Sequence, residues 1–241
     1  MANKPSDLRW CANCLTMSTR PRISFDGRGW CNACIWAEKK KTLNWGERQN
    51  ELTSLLDKHR KSGGQFDCLV PVSGGKDGSY VAYNLKHKYG MHPLAVTVTP
   101  ALSLELGDRN LRSFVASGYN HLSINPSYEA MRSLNKTGLI EMGFPYYGWL
   151  IAIHTAVLRI AMNFKIPLVF YGEDGEVEYG GTTETTKNSI YGIDYQKKVY
   201  LEGGYSKIMQ GVKLPEEDLY CFKFPSDEEI RLNPVDLTHW S

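Results

Sequence analysis

The chain reads as an α/β protein, with a parallel sheet covered by helices on both faces and a small cysteine-bearing ribbon in front of it. Three observations predict this. Short apolar runs alternate with helical segments between Asp67 and Tyr171. A glycine-rich turn, Ser73-Gly74-Gly75-Lys76-Asp77-Gly78-Ser79, joins the first apolar run to the segment after it. Four of the six cysteines fall within the first 34 residues as two CxxC pairs.

The elements follow in order. Residues 44–61 form a first amphipathic helix, with Leu52, Leu55 and Leu56 on one face and Ser62-Gly63-Gly64 to end it. Asp67 to Val72 predicts a strand, Gly78 to Tyr89 a helix, and Pro93 to Thr99 a second strand. A helix over Asp108–Ser117 and a strand over His121–Ile124 come next. Tyr147–Phe164 is the most apolar helix, and Pro167–Tyr171 the last strand. Beyond Gly172 no periodic pattern remains, and residues 1 to about 40 show little helical pattern. The expected division is a ribbon over 1–42, a linker helix over 43–66, the main domain over 67–204, and an irregular extension over 205–241.

At 241 residues, 42% hydrophobic and 22% charged, the chain can bury a real core. A net charge of +2 disfavours a protein whose main task is coating nucleic acid. No apolar run is long enough for a membrane span, and the N-terminus lacks a signal-peptide core. A cytoplasmic location is expected, so the cysteines call for an explanation other than disulfides.

Cys11, Cys14, Cys31 and Cys34 lie at CxxC spacing with sixteen residues between the pairs. Each pair can chelate one ion through a tight turn, and four thiolates suit tetrahedral zinc in a closed, structural site. Asp26-Gly27-Arg28-Gly29 supplies turn chemistry before the second pair. Redox pairs or an iron–sulfur cluster are the alternatives. A redox CxxC opens a helix in a βαβ context, which the sequence gives neither pair.

The glycine turn is neither a GxxxxGK[ST] nor a GxGxxG loop. Its physics is nonetheless that of anion binding. Gly74 and Gly75 let the backbone approach phosphate oxygens, and the following helix N-terminus directs N–H groups at them. Ser73 and Ser79 add hydroxyls, and Lys76 adds charge.

SGGKD resembles the signature of the PP-loop ATP pyrophosphatase superfamily, usually spelled SGGxDS; here Gly78 stands between Asp77 and Ser79. The two CxxC pairs, NWGER, DCLVPVSGGKDGSY and GEDGEVEYGG together resemble the N-acetyl sugar amidotransferase family of bacterial surface-polysaccharide (lipopolysaccharide O-antigen) and flagellar-sugar pathways. The resemblance runs from Cys11 to about Gly181, and the end THWS shares it. It implies an adenine nucleotide alpha hydrolase-like fold and a chain that is a short or truncated member.

It also implies a reaction in which ATP adenylates an acetamido oxygen and ammonia replaces it, leaving an acetamidino group. Magnesium would assist pyrophosphate departure. Lys76, Asp77 and Glu173 are the implied catalytic residues. Ser73, Gly74, Gly75, Asp77, Gly78, Ser79, Thr97 and Asn110 would bind ATP. Separate partners similar to the glutaminase and cyclase subunits of imidazole glycerol phosphate synthase would supply ammonia.

Glu173, Asp174, Glu176 and Glu178 follow the last strand, where ligands of open parallel sheets bind; the alternative is a solvated acidic loop. Tyr179-Gly180-Gly181 suits a lid. His154, alone in an apolar helix, reads as a satisfied core residue. Cys68 reads as buried in a strand and Cys221 carries no assigned role. The rival reading is a PP-loop enzyme that transfers sulfur to tRNA, a class that commonly needs further reactive cysteines and a basic surface.

Overall fold

The structure, a computed structural model, describes residues 8–61, 63, 65–172, 178–181, 184 and 189–239. The chain divides into two compact units, one of residues 1–52, 174–189 and 241, the other of residues 53–173 and 190–240.

The larger unit is built on a six-stranded sheet in the order β3-β2-β1-β4-β6-β5. Its strands are β1 (Cys68–Pro71), β2 (Pro93–Val98), β3 (Asn120–Ile124), β4 (Leu168–Phe170), β5 (Ile190–Tyr191) and β6 (Asp236–Thr238). All neighbours pair in parallel except β5, which runs antiparallel to β6 at the edge. Every residue of β2 is buried, and so are Cys68, Leu69 and Val70 of β1, because both faces of the central strands are covered. The edge strand β3 is partly exposed.

β1 connects to β2 through α3 (Lys76–Tyr83, extended by a wider turn over Asn84–Lys88), and β2 to β3 through α4 (Glu105–Ala116). Two helices, α5 (Tyr128–Met142) and α6 (Tyr147–Asn163), carry the chain from β3 back across to β4. Right-handed crossovers that step from β1 to β3 in one direction and from β3 back to β4 in the other put α3 and α4 on one face and α5 and α6 on the other. The apolar α6 packs on β1, β2 and β4, and Ile151, Ala152 and Ala161 along it are fully buried.

Sequence and structure differ at four places. The glycine loop is shorter than expected, since α3 starts at Lys76 rather than Gly78 and takes Lys76 and Asp77 into its first turn. α5 has no counterpart in the expected elements. Its apolar stripe is thin, but Ser127 caps it by accepting from Ala130 N–H and Gly143 closes it at φ 69°. Residues 205–239, read as irregular, contain helices over Tyr205–Gln210, Glu217–Phe222 and Asp227–Leu232, then β6 inside the sheet. The last of these helices opens with a capping box between Ser226 and Glu229. The first 40 residues are not without helix either, because α1 (Asn32–Lys40) starts directly after Cys31.

The amphipathic helix expected over 44–61 is α2 (Trp45–His59), which buries Leu52, Leu55 and Leu56; Ser62 and Gly64 of its expected stop lie outside the described residues. Its last residue, His59, lies 3.0 Å from Asp236 at the start of β6. No helix among the described residues is long and apolar enough to cross a membrane.

Gly78 sits where α3 meets β1. A Cβ there would lie 2.4 Å from the carbonyl oxygen of Pro71. Converting the loop to its usual spelling with Gly78→Ser should therefore destabilise the protein by about 1–3 kcal/mol, the usual range for overpacking a tight site. Urea unfolding checks this, and an unchanged midpoint would contradict the packing described.

Candidate functional site

Two separate sites emerge, one in each unit. In the smaller unit the four N-terminal cysteines converge, with all four sulfurs within 4.8 Å of one another. Cys11 and Cys34 are 3.7 Å apart, Cys14 and Cys31 3.5 Å, and Cys31 and Cys34 3.7 Å. A tetrahedron with metal–sulfur bonds of about 2.3 Å has sulfur–sulfur edges of about 3.8 Å, whereas a disulfide would bring two sulfurs to about 2.0 Å.

The loops are shaped to hold thiolates. Backbone N–H groups of Asn13, Cys14 and Cys31 point at the Cys11 sulfur at 3.4, 3.5 and 3.2 Å, and the Asn13 side chain donates to Cys34 at 3.2 Å. Burial pushes the Cys11 thiol up, but these N–H groups outweigh it and hold the thiol at about 6. Burial raises Cys34 to about 12, so ionising all four together requires a compensating cation. The set fits a metal such as zinc.

The Asp26 turn works as its sequence suggests, with its carboxylate accepting from the N–H groups of Arg28 and Trp30 at 2.9 and 3.0 Å. Glu178 to Gly181 belong to this same unit. Glu178 pairs with Lys40 of α1 at 2.6 Å, and Gly181 O accepts from the Asn32 side chain at 3.0 Å. A Cβ on Gly180 would meet Ala33 N at 2.8 Å. Tyr179-Gly180-Gly181 is thus packed on the start of α1.

The second site is the loop after β1. The sheet order places β2 on one side of β1 and β4 on the other, so the chain changes direction at the β1–β4 pair. Ligands of open parallel sheets bind beyond the carboxyl ends at such a switch point. Ser73 to Ser79 lie there together. Gly75 caps α3 in extended geometry and provides no side-chain cap. Ser73 makes no hydrogen bond among the described residues and is exposed. Ser79 donates back to Gly75 O at 2.8 Å, and Lys76 pairs with Asp77 at 2.5 Å. The arrangement offers open amide donors, a free hydroxyl and one cation to an anion.

Three glycines allow this. Gly74 has φ 80°, and a Cβ there would meet Gly107 O of α4 at 2.4 Å. Gly78 lies against Pro71 O as described. A Cβ on Gly172, just beyond β4, would meet Gly78 N at 2.5 Å. Only bare backbone fits at these contacts.

The remaining expected residues are placed as follows. Asn110 is exposed on α4, the helix that Gly74 touches. Thr97 is buried behind the loop, donating to Val72 O at 2.7 Å, with His121 Nε2 2.8 Å from its hydroxyl. Glu173, Asp174 and Glu176 lie outside the described residues.

A cavity of about 340 Å³, with Ser73, Gly78 and Gly172 in its wall, opens beside the loop. Val96, Val98 and Trp149 line it toward β2; His154, Tyr171, Tyr191 and Tyr200 line it toward β4 and β5. The sequence pattern missed these residues. His154 is buried, as a core histidine should be, but its ring is also part of the cavity wall. Tyr191 and Tyr200 fall where periodicity had ended.

No protein-family model matches the chain. An uncharacterized protein of Methanocaldococcus jannaschii is 32% identical over 89 residues, covering 36% of this chain. The chain spans 32% of that protein's length. Among solved structures, a predicted tRNA methyltransferase subunit from the same organism is 21% identical, with 49% of this chain and 58% of that one covered and a TM-score of 0.34. A metagenomic short-chain oxidoreductase in complex with NADP is 15% identical, with 73% and 80% covered and a TM-score of 0.30. Likenesses this loose carry no argument about function.

Purified protein is expected to hold about one metal equivalent per chain. Chelation should speed amide exchange across residues 9–40 and leave β1 and β4 protected. Unchanged exchange in 9–40, or an iron–sulfur absorption spectrum, would refute a structural zinc-type site.

Burial lowers His154 to about 4, against about 6.5 for a free histidine. Between those values the unfolded chain binds the extra proton, so this contribution to stability is present above about pH 6.5 and lost as pH falls through about 4. Burial also lowers His59 and His121. The thermal midpoint of wild type should therefore drop more steeply over this window than that of His154→Gln, which keeps the other two.

Proposed function

We propose that this chain is an ATP-dependent amidotransferase, forming AMP and pyrophosphate, that converts the acetamido group of an N-acetylated sugar into an acetamidino group in bacterial surface-glycan synthesis. The observation that carries the reading is the β1–α3 turn: a glycine loop at the switch point, with no side-chain cap from Gly75 and a serine hydroxyl that makes no hydrogen bond among the described residues.

The amide oxygen is a poor leaving group. Its attack on the α-phosphorus of ATP breaks the bond to pyrophosphate and leaves the oxygen carrying AMP. Ammonia then adds to the activated carbon, a proton is lost, and AMP departs with the former acetamido oxygen, leaving C=NH. In this reading the backbone of Ser73, Gly74 and Gly75 and the hydroxyls of Ser73 and Ser79 grip the departing pyrophosphate, and Lys76 balances its charge. Gly78 lets α3 begin close enough to aim its amides. Asp77 and Glu173 would hold magnesium, which neutralises triphosphate charge. Asn110 serves the nucleoside, and Thr97 acts by bracing Val72 at the base of the loop. Zinc in the four-cysteine site holds the ribbon and takes no part in the chemistry.

Ammonia must come from outside. Cys68 is fully buried with its thiol pushed up by desolvation, and burial raises Cys221 as well. Neither bonds a histidine among the described residues, so neither serves as a glutaminase nucleophile. Separate glutaminase and cyclase-like partners complete the system. The same two thiols weigh against sulfur transfer to tRNA, which needs a reactive cysteine.

With an acetamido sugar, ATP, magnesium and an ammonium salt, the expected products are the amidine, AMP and pyrophosphate. A sugar carrying oxygen-18 in its acetyl carbonyl should pass the label to AMP. Glutamine should serve only with a glutaminase partner present. ADP as product, or AMP without the label, would reject the mechanism; thiolated tRNA beside an unmodified sugar would favour the rival.

A further inference from the structure

The cavity beside the glycine loop has a chemical character unlike the loop itself. Among the described residues, no charged side chain lines it. A triphosphate would lose its hydration there without compensation, so a neutral group suits it. Its volume of about 340 Å³ is within the small-molecule range of roughly 300–1,000 Å³. Its two ends differ. Toward β2 the Trp149 indole is already committed, donating to Val98 O at 2.9 Å. Toward β4 and β5 the wall is His154 with Tyr171, Tyr191 and Tyr200.

His154 is held in one orientation there. Its ring stacks on Tyr200 with centroids 5.3 Å apart, and its Nδ1 lies 3.0 Å from the amide nitrogen of Gln196. That nitrogen also lies 3.4 Å from the Tyr171 hydroxyl. Gln196 is fully buried, and its Oε1 has no partner among the described residues. The reverse amide orientation would strand two buried donors in place of one acceptor, so an amide N–H faces Nδ1. Nδ1 is then the acceptor of the ring and Nε2 carries its proton. Nε2 makes no hydrogen bond among the described residues. A neutral donor with no protein acceptor among the described residues therefore stands in a wall of few polar groups, next to the glycine loop.

We propose that the β4–β5 end of this cavity receives the neutral acetamido-bearing face of the acceptor sugar, with His154 Nε2–H donating to one of its oxygens. The few polar groups on this wall favour a face poor in hydroxyls, such as that of a 2-acetamido-2,6-dideoxyhexose, whose C–H surface can lie on the tyrosine rings. Gln196 positions His154 and touches no substrate. This inference rests on the amidotransferase reading, and its test has one arm that needs no turnover.

The first arm is a titration of histidine-labelled wild-type protein with a 2-acetamido-2,6-dideoxyhexose, followed by nitrogen-15 NMR. The His154 Nε2–H resonance, assigned by its loss in His154→Phe, should shift and saturate. No shift at saturating sugar would overturn the proposal, whatever the enzyme's reaction. The second arm is kinetic. His154→Phe keeps a flat ring but removes the donor, so KM for the sugar should rise about tenfold, the effect of one lost neutral hydrogen bond, while KM for ATP stays unchanged. His154→Gln, which restores an N–H, should recover most of the loss. An unchanged sugar KM would overturn the proposal, and a rise in the ATP KM instead would assign this end to the nucleobase. A wild-type enzyme that forms no amidine would defeat the amidotransferase reading alone, leaving the NMR arm to decide this one.

Discussion

The larger unit turns on a contact between bare backbones. Pro71 ends β1, Gly78 lies in the first turns of α3, and Gly172 follows β4. Built side chains would come to 2.4 Å at Gly78 and 2.5 Å at Gly172, so three stretches of main chain meet where neither glycine has room for a Cβ. This contact brings the N-terminus of α3 down onto the carboxyl ends of the two strands at the switch point. The amides of that helix owe their aim to it. Gly74 adds the same device toward α4. An anion site made of backbone is rigid because moving it means moving the sheet.

That constraint accounts for the departure from the usual spelling of the loop. Position 78 faces the Pro71 carbonyl, and a serine there has nowhere to put its side chain. The hydroxyl is supplied one residue later by Ser79, which reaches back to Gly75. The smaller unit uses the opposite strategy. Among the described residues, Ile23, Phe25, Trp30 and Ala33 pack around the cysteines, and the turns are shaped by N–H groups aimed at sulfur. Small units of this kind gain their stability from a metal rather than from buried area. The returning residues Glu178 to Gly181 add an ion pair and backbone contacts to α1.

Legibility in the sequence follows these physical differences. The central strands and α6 were readable because both depend on continuous apolar runs. The four cysteines and the glycine loop were readable because their chemistry demands particular residues at fixed spacing. α5 is harder: its buried Ala130, Met131, Leu134 and Gly138 make a narrow stripe with only two large apolar residues, although Ser127 and Gly143 mark its ends. α1 begins inside the second CxxC turn and has no apolar period of its own. β5 and β6 are two and three residues long, and their place in the sheet comes from partners far away in sequence, which no local pattern records. The cavity was illegible for the same reason. Its aromatic wall is assembled from α6, the end of β4 and the segment around β5.

The juxtaposition of the open loop and the apolar cavity has a chemical consequence of its own. Adenylation joins a highly charged reactant to a neutral one, and the two need opposite surroundings. Phosphate oxygens are stabilised by exposed amide dipoles and a lysine on a flexible stem. A neutral amide is oriented best where water is excluded and few donors compete for its oxygen. Ser73 and Gly78 border both regions, so in the amidotransferase reading the place where the two reactants would meet is set by the same backbone contact that shapes the loop. His154 suits the dry side because burial keeps it uncharged across the neutral range, allowing it to direct a hydrogen bond without drawing phosphate into the cavity. A protonated histidine or a lysine at that position would attract the anion and blur the division on which such a reaction depends.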